Sequence, residues 1–209
     1  MRRIMSSEKN TPSWSFERQY TGHVCGVDEA GRGPLAGPVV AAAVIFPRQH
    51  APDGLTDSKR LSHSQREHLL NIIHKTAIIG IGISEPEEID RINILQASLT
   101  AMQRAIADLP LKAGTALIDG NKCPNISIPC EAIVKGDARS FSIAAASFVA
   151  KVTRDRIMAR AHQRYPAYDL DRHKGYPTKA HREKLTEHGP APIHRFSFAP
   201  LRKCVKEMR

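Results

Sequence analysis

Three places in the 209-residue chain deliver acid to a glycine-bounded turn: Asp28-Glu29, Asp119-Gly120 and Gly136-Asp137. Carboxylates gathered in one pocket repel one another unless cations neutralise them. Hard oxygen ligands of this kind suit Mg²⁺ or Mn²⁺. Two such ions about 3.5–4 Å apart clamp the attacking and leaving oxygens of an in-line phosphoryl displacement, which is nuclease or transferase chemistry. Beside the first acid pair stands Gly31-Arg32-Gly33-Pro34. Its glycines admit close backbone approach and the positive φ that successive amides need to form an anion-binding nest, and Arg32 adds a cation. Each acid also has a plainer reading. Asp28-Glu29 can be a solvated pair at a hairpin corner, Asp119 a turn residue and Asp137 a helix cap. The chemical reading rests on their joint placement.

That placement needs particular elements. Val24–Asp28 reads as a first strand, and Gly37–Phe46, nearly continuous in small and branched apolar residues, as a strand buried on both faces. The short Gly-Arg-Gly-Pro link makes the pair antiparallel. Thr115–Asp119 is a further short apolar strand. If it runs parallel beside the first, Asp28 and Asp119 emerge at one sheet edge. Asp137, at the start of a long helix from about Phe141 to Gln163, can face them. Between these lie a polar loop with Asp57-Ser58-Lys59, a helix opened by the Ser62/Gln65 capping box, a third strand Ala77–Ser84, and a helix beginning at Pro86 whose apolar spacing runs from Ile89 to Ile106. Asn125–Val134 is strand-like but interrupted by Pro129. Its short connection to Asp119 sits badly with a parallel crossover. Thr178 can cap a helix ending near His188, with Gly189 behind it. Strands grouped early and then alternating with helices predict an α/β fold: a mixed sheet with helices on both faces.

Lys and Arg outnumber Asp and Glu by 31 to 21, a formal charge of +10. The surplus points to a polyanionic partner, nucleic acid first and an anionic membrane second. No apolar run is long enough for a transmembrane helix. Residues 1–22 lack the apolar centre of a secretory signal and read as a mobile arm that Trp14, Phe16 or Tyr20 can pin to the body. A cytoplasmic chain is expected, with Cys25, Cys123, Cys130 and Cys204 as free thiols. Nothing calls for a second copy, so a monomer is expected. H-E-x-x-H, G-x-S-x-G and Walker patterns are absent. The domain is expected over residues 23–200, with 201–209 as a basic tail.

Val27-Asp28-Glu29-Ala30-Gly31-Arg32-Gly33-Pro34, Asp57-Ser58-Lys59, Ile118-Asp119-Gly120, Lys135-Gly136-Asp137, Ser142–Ser147 with Lys151–Arg156, and His173-Lys174-Gly175-Tyr176-Pro177-Thr178 occur in that order. The set resembles the bacterial type 2 ribonuclease H (ribonuclease HII) family over about residues 22–200. The resemblance implies a ribonuclease-H-like mixed five-stranded sheet with a helical C-terminal extension, about residues 165–200. It implies an endonuclease that cuts the RNA strand of RNA–DNA hybrids. It also implies incision 5′ to a single ribonucleotide in duplex DNA, leaving 3′-hydroxyl and 5′-phosphate ends. Carried over by motif, Asp28, Glu29, Asp119 and Asp137 hold the metals, Mg²⁺ or Mn²⁺, two with substrate bound. Gly31, Arg32 and Gly33 contact the ribose 2′-hydroxyl, the group that separates RNA from DNA at one position. Tyr176 packs on the next sugar, and Lys59, His173 and Lys174 contact phosphates. Tyr168-Asp169-Leu170 stands where the family usually has Tyr-Gly-Phe, which sets a charge beside the substrate-reading turn. Two other readings keep the basic surplus. One is a DNase or strand-transfer enzyme of the same superfamily. The other is a non-catalytic module with solvated acids.

Overall fold

A computed structural model describes residues 11–55, 61–199 and 201–202. Five strands, β1 (Val24–Ala30), β2 (Val39–Ile45), β3 (Ile78–Ser84), β4 (Thr115–Asp119) and β5 (Cys130–Ile133), form one sheet in the order β3-β2-β1-β4-β5. β1 and β2 are antiparallel, as are β2 and β3, whereas β4 runs parallel to β1 and β5 parallel to β4. The helices are α1 (His63–Thr76), α2 (Pro86–Ile92), α3 (Ile94–Ala107), α4 (Phe141–Arg164), the single turn α5 (Leu170–His173) and α6 (Lys179–His188).

Alternation along β2 divides the core. Val39, Ala41, Ala43 and Ile45 pack with Ala97, Ala101, Met102 and Ala105 of α3 on one face. Ala42 and Val44 pack with Leu69, Leu70 and Ile73 of α1 and Ala144–Ala146 of α4 on the other, as the two-residue period of a strand requires. α4 approaches β1 so closely that a Cβ on Gly26 would lie 2.1 Å from the Ser142 carbonyl carbon. A third cluster of Leu35, Met158, Tyr168, Leu170, Leu185 and Leu201 joins the C-terminal helices to the loop after β1.

Ser62 and Gln65 close the predicted capping box, and Thr178 caps α6. Four expectations change. The helix from Pro86 is two helices. Asn93 adopts φ 68°, and its side chain accepts from the Leu95 and Gln96 amides at 3.0 and 3.1 Å, restarting the helix. The strand read over 125–134 begins only at Cys130, so residues 120–129 are left to make the parallel connection. Pro129 has no N–H to give but its carbonyl accepts from Ala116 at 2.9 Å. Folding that connection back brings the Cys123 and Cys130 Cα atoms to 6.3 Å, and the two are disulfide-bonded rather than free. Cys25 is a buried free thiol, as expected, whose pKa burial pushes up to about 12; Cys204 lies outside the described residues.

The fourth change concerns how much of the N-terminal arm is pinned, though the residues that pin it are those expected to. Residues 11–22 pack on the body. Trp14 meets Phe46 and Phe141, Arg139 lies over Phe16, and Tyr20 donates to Glu131 at 2.6 Å. Glu17 is buried at the N-terminus of α4, accepting from the Ser140 hydroxyl at 2.6 Å and from the Ser142 amide and hydroxyl at 3.1 and 2.7 Å. An acid is favoured there by the unpaired amides of the first turn. Residues 1–10 and 203–209 lie outside the described residues.

Candidate active site

The β1–β4 register pairs Val27 with Ile118, so the next residues, Asp28 and Asp119, leave the parallel strands side by side. Asp28 is 6% exposed. Burial, then repulsion from Glu29 and Asp119, pushes its carboxyl well above the usual range, against hydrogen bonds from Ser147 and the Glu29 amide, the latter at 2.7 Å. Burial also raises Glu29, opposed by Arg32 at 3.1 Å. Asp119 is raised by burial and by the Asp137 charge, although the Gly136 amide donates to it at 2.6 Å. Asp137 sits in the single 3₁₀ turn Gly136–Ala138 that leads into α4.

The four acids are therefore near neighbours, and Arg32 is the cation that their shifts reveal. They do not close into a cage. Among the described residues, three ligand atoms come within 4.8 Å of one another only at His162, Asp169 and Asp171. An all-carboxylate donor set, largely buried and mutually repelling, fits hard divalent cations and does not fit Zn²⁺, which favours nitrogen and sulfur.

Next to the acids is a cleft of about 450 Å³ lined by Glu29, Gly31, Arg32, Gly33, Lys151 and Tyr176, with Arg66, Ser147 and Phe148. Gly31 takes φ +101°, where a Cβ would meet Arg154 Nε at 2.2 Å. The Tyr176 ring covers Gly33, 3.7 Å from where a Cβ would stand. The predicted Gly-Arg-Gly turn and Tyr176 thus share one wall.

Other predicted contacts fare differently. His173 turns inward. Its Nε2 meets the Tyr168 carbonyl at 2.7 Å, its Nδ1 accepts from the Gly175 amide at 3.2 Å, and its ring stacks on His181. Both nitrogens have partners inside the protein, set against the phosphate role expected for it. Lys174 has φ 51° and donates to the Asp171 carbonyl at 2.5 Å. Lys59 lies outside the described residues. Asp169 takes the left-handed conformation, φ 50°, that a glycine adopts without strain.

Sequence reasoning assigned no role to Ser147, Lys151 or Arg154, yet they lie on one face of α4 at i, i+4 and i+7. That spacing was a usable signal. Arg195 had none, because it sits in a basic segment that reads as solvated.

The sequence pattern of the ribonuclease HII family matches residues 25–201. The chain belongs to the ribonuclease HII family. Ribonuclease HII of Dechloromonas aromatica (strain RCB) is 56% identical over 181 residues, which span 86% of this chain and 92% of that protein. Ribonuclease HII of Idiomarina loihiensis is 52% identical over 186 residues, 88% of this chain and 100% of that protein. The crystal structure of ribonuclease H2 from Pyrococcus horikoshii OT3 superposes with TM-score 0.74 at 28% identity, covering 89% of this chain and 98% of that one. As a ribonuclease HII, the chain is a metal-dependent endoribonuclease acting on RNA–DNA hybrids. Among its described residues, no helix is long and apolar enough to cross a membrane.

Proposed function

We propose that the enzyme also incises 5′ to single ribonucleotides embedded in duplex DNA, using Asp28, Glu29, Asp119 and Asp137 to hold two Mg²⁺ or Mn²⁺ ions with substrate bound. The observation that carries this reading is the shared wall. Glu29 of the acidic group lines the same cleft as Gly31, Arg32, Gly33 and Tyr176, so a sugar held on the turn keeps its phosphate beside the carboxylates. Bound ions would supply charge neutralisation and an activated water at that phosphate. The protein does the rest. Asp28 and Asp119 are fixed by their strands, and Glu29 is steadied by Arg32. Asp137 is set by the turn before α4. The Gly31–Gly33 turn meets the 2′-hydroxyl, and the half-exposed Tyr176 packs on the following sugar. Lys174 is kept as a proposed phosphate contact. Every proposed group belongs to one chain, in keeping with a monomer, and the enzyme is placed by this reading in the cytoplasm.

The test is a labelled DNA duplex with one internal ribonucleotide, incubated with Mg²⁺, Mn²⁺ or a chelator. A single cut on the 5′ side is expected, absent with chelator and at least about 100-fold slower in Asp137→Asn. Cleavage of long hybrid alone would remove the proposed roles of Tyr176 and the Gly-Arg-Gly turn while leaving the metal site. Cutting of an all-deoxy duplex would replace the reading with a DNase.

A further inference from the structure

Two arginines head the fully buried side chains by size, and the chemistry above uses neither. Among the described residues, neither forms an ion pair. What they hold is main chain. Arg195 donates from Nη2 to the Gly31 carbonyl at 2.6 Å, from Nη1 to those of Pro34 and Arg32 at 2.8 and 3.1 Å, and from Nε to that of Gly37 at 2.9 Å. Arg154 donates from Nε and Nη2 to the Pro38 and Ala36 carbonyls, both at 2.9 Å, and from Nη1 to that of Lys174 at 3.0 Å. The segment around Arg195 also pairs with the loop. The Gly37 amide donates to Ile193, and the Arg195 amide to Leu35, both at 2.8 Å.

This arrangement has a directional consequence. No peptide bond in the described chain is cis, and in a trans peptide the C=O and the following N–H point opposite ways. Once the Gly31 and Arg32 carbonyls are drawn inward to one guanidinium, the Arg32 and Gly33 amides must point outward. Neither amide has a main-chain acceptor among the described residues, and both residues line the cleft. We propose that Arg195 is a positioning residue for sugar discrimination: by fixing two carbonyls it presents the Arg32 and Gly33 amides to the cleft as a preset pair of donors for the ribose 2′-hydroxyl. Arg154 plays the matching part for the Tyr176 side of the same wall, tying the Lys174 carbonyl, two residues before Tyr176, to the same loop. The inference rests on reading Gly31-Arg32-Gly33 as the ribose contact. It assigns to the C-terminal segment the job of aiming that contact from behind.

Arg195→Lys keeps the charge and much of the volume but loses the planar fork that reaches four carbonyls at once. Affinity is measured with Ca²⁺ in place of the catalytic ion, for a duplex with one ribonucleotide and for its all-deoxy counterpart. In the wild type the ribonucleotide duplex binds more tightly. In Arg195→Lys that ratio is expected to fall about fivefold or more toward one. All-deoxy binding, set by phosphate contacts, stays within about twofold. An unchanged ratio overturns the proposal. So does a parallel fall in both affinities, which is what a purely structural arginine would give. Should the variant fail to fold, wild-type ¹⁵N amide shifts decide. The Arg32 and Gly33 resonances must move with the ribonucleotide duplex and not with the all-deoxy one, and their failure to do so sinks the idea. A wild type with no ribonucleotide preference would refute the ribose reading itself, a result distinct from failure of the clamp.

Discussion

The acidic end of β1 and β4 and the arginine-filled space beneath the loop after β1 are opposite solutions to buried charge. At the first, like charges press on one another and the protein supplies little relief. Asp28 and Asp119 are both held above their usual range. At the second, two cations sit fully buried with main-chain carbonyls arranged around each fork. Burying charge without compensation is costly. A fold that leaves it uncompensated is leaving room for something from outside, whereas satisfied charge is scaffold. The contrast separates the residues expected to meet metal and substrate from those that aim them.

The largest expected effect breaks the first region. Asp28→Asn should lower cleavage of a hybrid by about a thousandfold or more, because it removes a charge that holds the ions. In chelator the same variant should be more stable than the wild type by on the order of 1 kcal/mol, about 2–4 °C in Tm for a chain this size, since repulsion is relieved. Mg²⁺ should then raise the wild-type Tm and leave that of the variant nearly unmoved. Thermal melts with and without metal check both signs, and a destabilised Asp28→Asn would mean that the site is compensated after all.

The second region should respond in the opposite direction. Arg154→Met fills the space but strips donors from the Ala36, Pro38 and Lys174 carbonyls. Buried acceptors left unpaired cost about 1–3 kcal/mol each at the upper limit, and relaxation reduces the sum. A loss of about 3 kcal/mol is expected by urea unfolding. A variant as stable as the wild type would show that the carbonyls find other partners and that the arginine is not scaffold.

The same contrast explains what could be read from the sequence. The sheet, the hairpin of β1 and β2, and the caps at Ser62 and Thr178 are local patterns, and two strand ends suffice to set Asp28 beside Asp119. Asn93 escaped because the apolar spacing from Ile89 to Ile106 runs through it, and only its positive φ breaks the helix. Glu17, Arg154 and Arg195 escaped for one shared reason. A charged residue in sequence reads as solvated, and what buries each of these is a partner 125, 118 or 164 positions away. The surroundings of His173 were hidden likewise: its neighbours in sequence are basic, but its neighbours in space are a carbonyl, an amide and another imidazole.

Those imidazoles allow the comparison to be sharpened by pH. His173 meets a carbonyl through Nε2, so that nitrogen carries the proton and Nδ1 accepts from Gly175. His181 donates from Nδ1 to the Tyr176 carbonyl at 3.0 Å, which leaves its Nε2 to accept from His194 Nε2 at 3.1 Å. His194 Nδ1 lies 3.0 Å from the Ala191 amide and 3.1 Å from the Ala191 carbonyl. Burial lowers His173 and His181 below the ordinary imidazole range. Burial first, and the neighbouring histidines with it, lowers His194 from 6.5 to about 4. Between those values the unfolded chain binds a proton that the folded chain refuses. Its contribution is therefore intact above pH 6.5 and is lost as pH falls toward 4, by about 3 kcal/mol at most. Carboxylates titrate nearby in pH, so the check is the difference between wild type and His194→Gln. Melts in chelator from pH 7.5 to 4.5 should show a shallower acid loss in the variant. Parallel curves would mean that this ladder takes up protons without strain. Because His181 holds the Tyr176 carbonyl, such a result would also uncouple the acid sensitivity of the fold from the wall that faces the sugar.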